Sequence, residues 1–182
     1  MTFLKMVAVA VAIALALTGG AVAQTAPAPG KAQVIHSVSG FGDVTEVWKG
    51  SYLFAAVQRA DGTVSGQVRW IDTELGGDVT EGKVTHMTVV GKQATIFAEL
   101  PEGFECVICG DGVHPTHFFF VVIEGTDGKP DQVGWPLYFA DWPGYTVEDL
   151  FAMKPKEFIA WEKSWGFFDP PLLTLEGNIQ VR

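Results

Sequence analysis

The chain has 182 residues, with 21 acidic and 12 basic side chains and a formal net charge of −9. A surface this acidic repels phosphate backbones and anionic membrane surfaces, and no basic cluster interrupts it, so we expect no nucleic-acid partner. Only two cysteines are present, which excludes a disulfide-rich scaffold and leaves the fold to depend on its own core.

The first 23 residues have the pattern of a secretory signal peptide. Lys5 is the only charge before position 31, and an apolar run of 12 residues follows it from Met6 to Leu17. Small residues then lead to Ala23, which predicts cleavage after that residue. Because a helix needs about 20 apolar residues to span a bilayer, we expect no membrane anchor after cleavage. The sequence therefore predicts a secreted or periplasmic protein.

Cleavage after Ala23 would leave 159 residues with a net charge of −10. This length is enough for one domain with its own core. Residues 24–33 have no apolar periodicity and are predicted to be a flexible lead-in. Residues 34–182 are predicted to form a single β-rich domain.

The first part of that domain alternates β-favouring stretches with turns. Residues 34–38 are predicted to be a strand that ends in a turn at residues 39–42, and a second β-favouring stretch covers residues 45–60. The Asp61-Gly62 pair favours a hairpin. After it, residues 64–72 alternate apolar and polar side chains, as a half-buried strand does.

The pattern of strands and turns continues to the end of the chain. After a turn at Gly76-Gly77, residues 83–90 and 93–99 flank a second hairpin at Gly91-Lys92. Residues 116–124 form a strongly apolar strand, residues 126–130 a turn, and residues 177–182 a last alternating strand. Short strands with such turns predict a mainly antiparallel all-β fold. A β-barrel and a β-sandwich both fit this pattern.

Residues 146–165 interrupt the β pattern and predict a short helical insertion. Thr146 suits a helix cap, with Glu148 and Asp149 in the first turn. Pro155 suits the first position of a second helix that runs to about Trp165.

Three segments taken in order resemble small secreted bacterial β domains of unknown function, the kind called post-COAP domains. They are GQVRWID at residues 66–72, FVVIEGTDGKPD at residues 120–131 and GNIQV at residues 177–181. The resemblance covers residues 36–131 and 173–182. It implies an antiparallel β fold and export, and it implies no activity and no catalytic residues. Residues 132–172 and 106–117 depart from the pattern, so we expect any function particular to this chain in those two segments.

The segment from Cys106 to His117 is the most compact candidate site. In an oxidising compartment, Cys106 and Cys109 are expected to form a disulfide that pins a turn and contributes little stability. Alternatively, Cys106, Cys109, His114 and His117 offer four ligands of the types that zinc takes in structural sites. A redox pair is the third interpretation, although the Cys-x-x-Cys lacks the βαβ context of thioredoxin-like proteins.

Half of the 22 aromatic residues lie between positions 135 and 168. They either pack the helical insertion onto the sheet or form a lid over a barrel mouth that contacts a ligand. The ligand-binding candidates are Trp135, Tyr138, Trp142, Trp161 and Trp165. His36 and His86 are interpreted as structural residues, and the carboxylate pairs Glu102/Glu105 and Glu148/Asp149 as solvated surface.

No catalytic motif is present, so the sequence predicts a non-enzymatic binding or structural module for an apolar small molecule or a carbohydrate. The alternative is a zinc-binding or thiol-dependent enzyme that uses residues 106–117. We expect no cofactor unless zinc occupies that segment.

Overall fold

Ten strands and two short helices form the described part of the chain. The computed structural model describes residues 32–45, 49–74, 77–106, 109, 113–140, 144–164 and 172–182. The predicted signal peptide and nearly all of the lead-in lie outside these residues. The strands are β1 (Val34–Val44), β2 (Gly50–Arg59), β3 (Val64–Asp72), β4 (Asp78–Val90), β5 (Gln93–Glu99), β6 (His117–Ile123), β7 (Gln132–Gly134), β8 (Leu137–Phe139), β9 (Leu172–Thr174) and β10 (Glu176–Val181); the helices are α1 (Val147–Ala152) and α2 (Pro155–Ser164).

The strands form one antiparallel sheet that curls into a nearly closed barrel. Its order is β10-β1-β2-β3-β4-β5-β6-β7-β9, and β8 pairs with β6 beside β7. Strands β9 and β10 stand at opposite ends of this order, yet only Leu175 separates them along the chain. The two edges of the sheet therefore meet, and the predicted all-β fold is confirmed in its barrel form. Lys31–Arg182 forms one compact unit.

Side chains bridge the seam where the two edges meet. The carboxylate of Asp131 accepts hydrogen bonds from the backbone N–H groups of Gly125 and Ile179, both at 2.6 Å. Glu124 accepts one from the backbone N–H of Val181 at 2.7 Å and is 2.8 Å from Nζ of Lys92. These bonds satisfy groups on β10 that a neighbouring strand would otherwise pair.

The Glu124 carboxylate of the seam is stabilised in its charged form. The Lys92 hydrogen bond, followed by the Val181 backbone N–H, lowers the pKa of Glu124. Because the folded state favours the charged carboxylate, Glu124 stabilises the protein at neutral pH. This stabilisation is lost as the pH falls and the carboxylate becomes protonated.

Aromatic side chains fill the interior of the barrel. Phe120 is fully buried, and its ring centroid lies 5.1 Å from that of Tyr52 and 5.5 Å from those of Phe54 and Phe118. The Tyr52 hydroxyl donates to the Gly134 carbonyl at 2.9 Å, which satisfies the polar end of a buried ring. The interior is thus a packed core.

A second aromatic core lies outside the barrel, under the helices. Strands β5 and β6 are buried on both faces, and their outward rings, Phe97 and Phe119, pack against Phe158 of α2. Thr146 caps α1 and forms a reciprocal capping box with Asp149. The predicted helical insertion is confirmed, and α2 begins at the expected Pro155. Among the described residues, no helix is both long and apolar enough to cross a membrane.

The turn predicted at residues 39–42 is wrong, because β1 runs through them to Val44. Gly40 pairs with Phe54 of β2 and with Ile179 of β10. A methyl group at Gly40 would overlap the Phe54 ring, so this glycine permits close approach inside the barrel. Phe41 consequently points outward, where 60% of its surface is exposed.

Candidate ligand-binding groove

A groove of about 800 Å³ lies on the outer face of strands β2 to β5. Strand pairing aligns Leu53, Arg69 and Glu81 in one row across three strands. Because alternate residues of a strand point to the same face, the next row also points outward. That second row consists of Ala55, Gln67, Lys83 and Glu99.

The loop after β5 lines the remaining part of the groove. Leu100, Pro101 and Glu102 belong to the lining, and the Leu100 backbone N–H donates to the Thr116 carbonyl at 2.9 Å. This bond ties the loop to the start of β6. The groove therefore has a regular sheet as its floor and a hydrogen-bonded loop among its other lining residues.

Charges of opposite sign face each other within the groove. Arg69 Nε lies 3.2 Å from Glu81 Oε1, and both side chains are about half exposed or more. Lys83 stands directly across from Glu99 in the strand register. With Glu102 included, the lining carries two cations and three carboxylates, a net charge of −1 in which most charges have a neighbour of opposite sign.

An exposed apolar surface continues from one end of the rows. Leu53 is 57% exposed and pairs across the strands with Phe41. In the adjacent row, Ile71 pairs with Val79, which is 43% exposed. Exposed apolar groups that adjoin a polar groove are a recurrent feature of binding sites.

The cysteine segment adopts the disulfide form among the three alternatives. Cys106 and Cys109 are joined, with their Cα atoms 5.3 Å apart. His114 is exposed, and His117 Nδ1 lies 2.9 Å from the Thr116 hydroxyl. In this oxidised state the sulfurs are not thiolate ligands, and the described ranges contain no group of three metal-ligating residues. The zinc interpretation stays a prediction for the reduced protein.

Replacing both cysteines by serine is expected to lower the free energy of unfolding by at most about 2 kcal/mol. The bridge closes a loop of only a few residues, so it removes little entropy from the unfolded chain. Urea denaturation of C106S/C109S and of wild-type protein with and without reductant measures this loss. A loss well above 2 kcal/mol in the variant would show that the bridge holds more than its own turn.

Two histidines contact helix α1, and one of them, His117, also stands across from Glu99 of the groove in the strand register. His86 stacks on Phe151, with ring centroids 4.4 Å apart and planes 9° apart, and His117 meets the same ring edge-on at 5.8 Å. Burial lowers the pKa of both imidazoles, although Glu99 and Glu148 partly offset this for His117. The structural interpretation of His86 agrees with these contacts.

The aromatic residues predicted to bind ligand are used in packing wherever they are described. Trp135 is 6% exposed, and Trp161 packs against Phe158 and Tyr145. The Tyr138 hydroxyl lies 2.7 Å from that of Thr80. Their role toward a ligand stays a prediction, and Trp142 and Trp165 lie outside the described residues. The helices pack against the outer face of β4, β5 and β6.

The groove residues were not among the sequence candidates. The alternation in residues 64–72 already indicates that Gln67 and Arg69 share the exposed face of a strand. Cross-strand register, which brings Leu53, Lys83 and Glu99 beside them, follows only from the folded sheet.

Comparisons with known proteins returned no matching family model, no matching curated protein and no matching solved structure.

Proposed function

We propose that the protein is a non-enzymatic binding module that holds a soluble ligand in the outer groove of β2–β5. The observation that carries this proposal is the pair of outward rows, which present apolar, amide and charged side chains on one rigid sheet. Sites built on strands hold their side chains more precisely than sites built on loops.

The chemistry of the lining favours binding over catalysis. The described lining contains no Ser, Thr, Cys, His or Tyr, so its only groups able to act as nucleophile or proton carrier are Lys83 and three glutamates. The disulfide engages both thiols of the alternative enzyme site. The enzyme alternative therefore has less support than the binding module.

Filling the groove is expected to abolish binding. Ala55 is exposed at the β2 end of the second row, beside Gln67, so Ala55→Trp places an indole where the ligand would lie. Ala160 is exposed on α2, and Ala160→Trp is the matched control. Calorimetric titration would use neutral and anionic oligosaccharides, dodecanoate and an extended peptide as probes.

We expect at least one probe to bind wild-type protein and A160W equally, and to bind A55W at least tenfold more weakly. If no probe binds, or if A55W binds as well as wild type, the groove is not the binding site. Circular dichroism would show that both variants keep the β fold.

A further inference from the structure

We infer that the ligand of the groove is a neutral, hydroxyl-rich molecule, an oligosaccharide chain that lies across β1–β4 with its apolar face on Leu53 and Phe41. This inference rests on the proposed function and names the ligand class of the same site.

The charge arrangement favours hydroxyl groups over ions. A hydroxyl both donates and accepts hydrogen bonds, so it can bridge a cation and a carboxylate that stand side by side. The groove presents two such cation–carboxylate pairs: Arg69 lies 3.2 Å from Glu81, and Lys83 stands across from Glu99 in the strand register. Gln67 stands across from Lys83 on the neighbouring strand. Its amide can also both donate and accept hydrogen bonds.

Charged ligands meet opposition in the same groove. Three carboxylates line it, and the chain has a net charge of −9, so an anionic chain is repelled both locally and at long range. A cationic chain would compete with Arg69 and Lys83 for their carboxylate neighbours. A neutral ligand incurs neither penalty.

The apolar contribution is a surface and not an enclosed cavity. Pockets for apolar small molecules bury most of the ligand within apolar walls, whereas here Leu53 and Phe41 are each more than half exposed at one end of a polar groove. A sugar ring has one face of C–H groups and a rim of hydroxyls, so it can cover these two side chains while its hydroxyls reach the charged rows. The structure therefore favours a carbohydrate over an apolar small molecule.

The test compares three hexasaccharides that differ in charge: a neutral glucose hexamer, a glucuronic acid hexamer and a glucosamine hexamer. Both α-1,4 and β-1,4 linkages are used, and calorimetry is run on wild-type protein at 20 and 150 mM salt. We expect a neutral hexamer to bind at least tenfold more tightly than either charged one. Its affinity should change less than twofold with salt.

Two variants separate the polar from the apolar contacts. Gln67→Ala and Phe41→Ala are each expected to weaken binding of the neutral hexamer about five- to tenfold, whereas Lys156→Ala on the exposed side of α2 leaves it unchanged. Preferential binding of a charged hexamer, dodecanoate or peptide that A55W abolishes would overturn the inference and leave the proposed function standing. Absence of any groove binding would overturn both.

Discussion

Asp131→Ala is expected to lower the free energy of unfolding by about 3 kcal/mol. The carboxylate accepts from the backbone N–H of Gly125 and of Ile179 at 2.6 Å each, and so joins the loop after β6 to β10. Truncation leaves two partly buried N–H groups without this acceptor, and each such loss costs about 1–3 kcal/mol. The same change loosens the seam at which the sheet edges meet.

Urea denaturation followed by tryptophan fluorescence measures the effect. Glu105→Ala, at an exposed loop position, is the matched control and should change stability by less than about 0.5 kcal/mol. Asp131→Asn should lose about half as much as Asp131→Ala, because an amide oxygen can still accept one of the two bonds. A value for D131A close to that of the control would show that the seam is held by other contacts.

Glu162→Gln is expected to stabilise the protein by about 4 kcal/mol at pH 8 and to leave its stability nearly unchanged at pH 4.5. Glu162 lies on α2 with 1% of its surface exposed, and a Cβ on Gly134 would be 3.6 Å from its Oε2. Burial raises the pKa of Glu162 to about 8, and the Trp135 backbone N–H offsets only part of the increase. The carboxyl is thus mainly protonated at neutral pH.

The sign follows from proton binding in the two states. Between pH 4.5, the ordinary pKa of glutamic acid, and pH 8, the folded protein holds a proton that the unfolded chain has released. The contribution of Glu162 to the free energy of unfolding of the wild type therefore falls as the pH rises through that window. A glutamine does not titrate and has no such loss. The difference in free energy of unfolding between E162Q and wild type therefore grows from about zero at pH 4.5 to its full size near pH 8.

Denaturation of E162Q and wild type at pH 4.5, 6, 7 and 8 tests this dependence. His86 and His117 titrate in both proteins and cancel in the difference. A Glu157→Gln variant, at an exposed position of the same helix, provides the control. A difference that is constant across the pH range would show that Glu162 does not carry the raised pKa.

The hairpins of the fold could be predicted from the sequence because their determinants are local. Asp61 accepts from the backbone N–H and the hydroxyl of Thr63 at 3.0 and 2.7 Å, and Gly62 has a φ of +84°. Residues 64–72 form a strand with the predicted boundaries. The cap at Thr146 is equally local, since its partner is Asp149 three residues later.

The short strands could not be predicted because they exist through distant partners. Strands β7 and β9 have three residues each and pair with one another across about forty positions of sequence. The predicted turn at residues 39–42 failed for a related reason. Glycines at positions 40 and 42 favour a turn locally, whereas in the folded sheet the lack of a side chain at Gly40 makes room for Phe54 on the neighbouring strand.

The groove was only partly foreseeable. Alternation predicts which side chains of β3 are exposed, but the sequence does not fix which residues of β2, β4 and β5 stand beside them. A bulge near Val84 and His86 shifts the register of β4 against β5, which changes the neighbours of every later residue. The aromatic residues at positions 135–168 suggest a ligand site by their number, but those that are described mainly pack the core.

Titration of ¹⁵N-labelled protein with a neutral glucose hexamer, followed by amide chemical shifts, locates the binding site directly. Binding in the groove predicts saturable shifts at Leu53, Gln67 and Lys83, with unchanged amides in α2. Shifts confined to the helices, or no shift for either linkage at millimolar sugar, would contradict it.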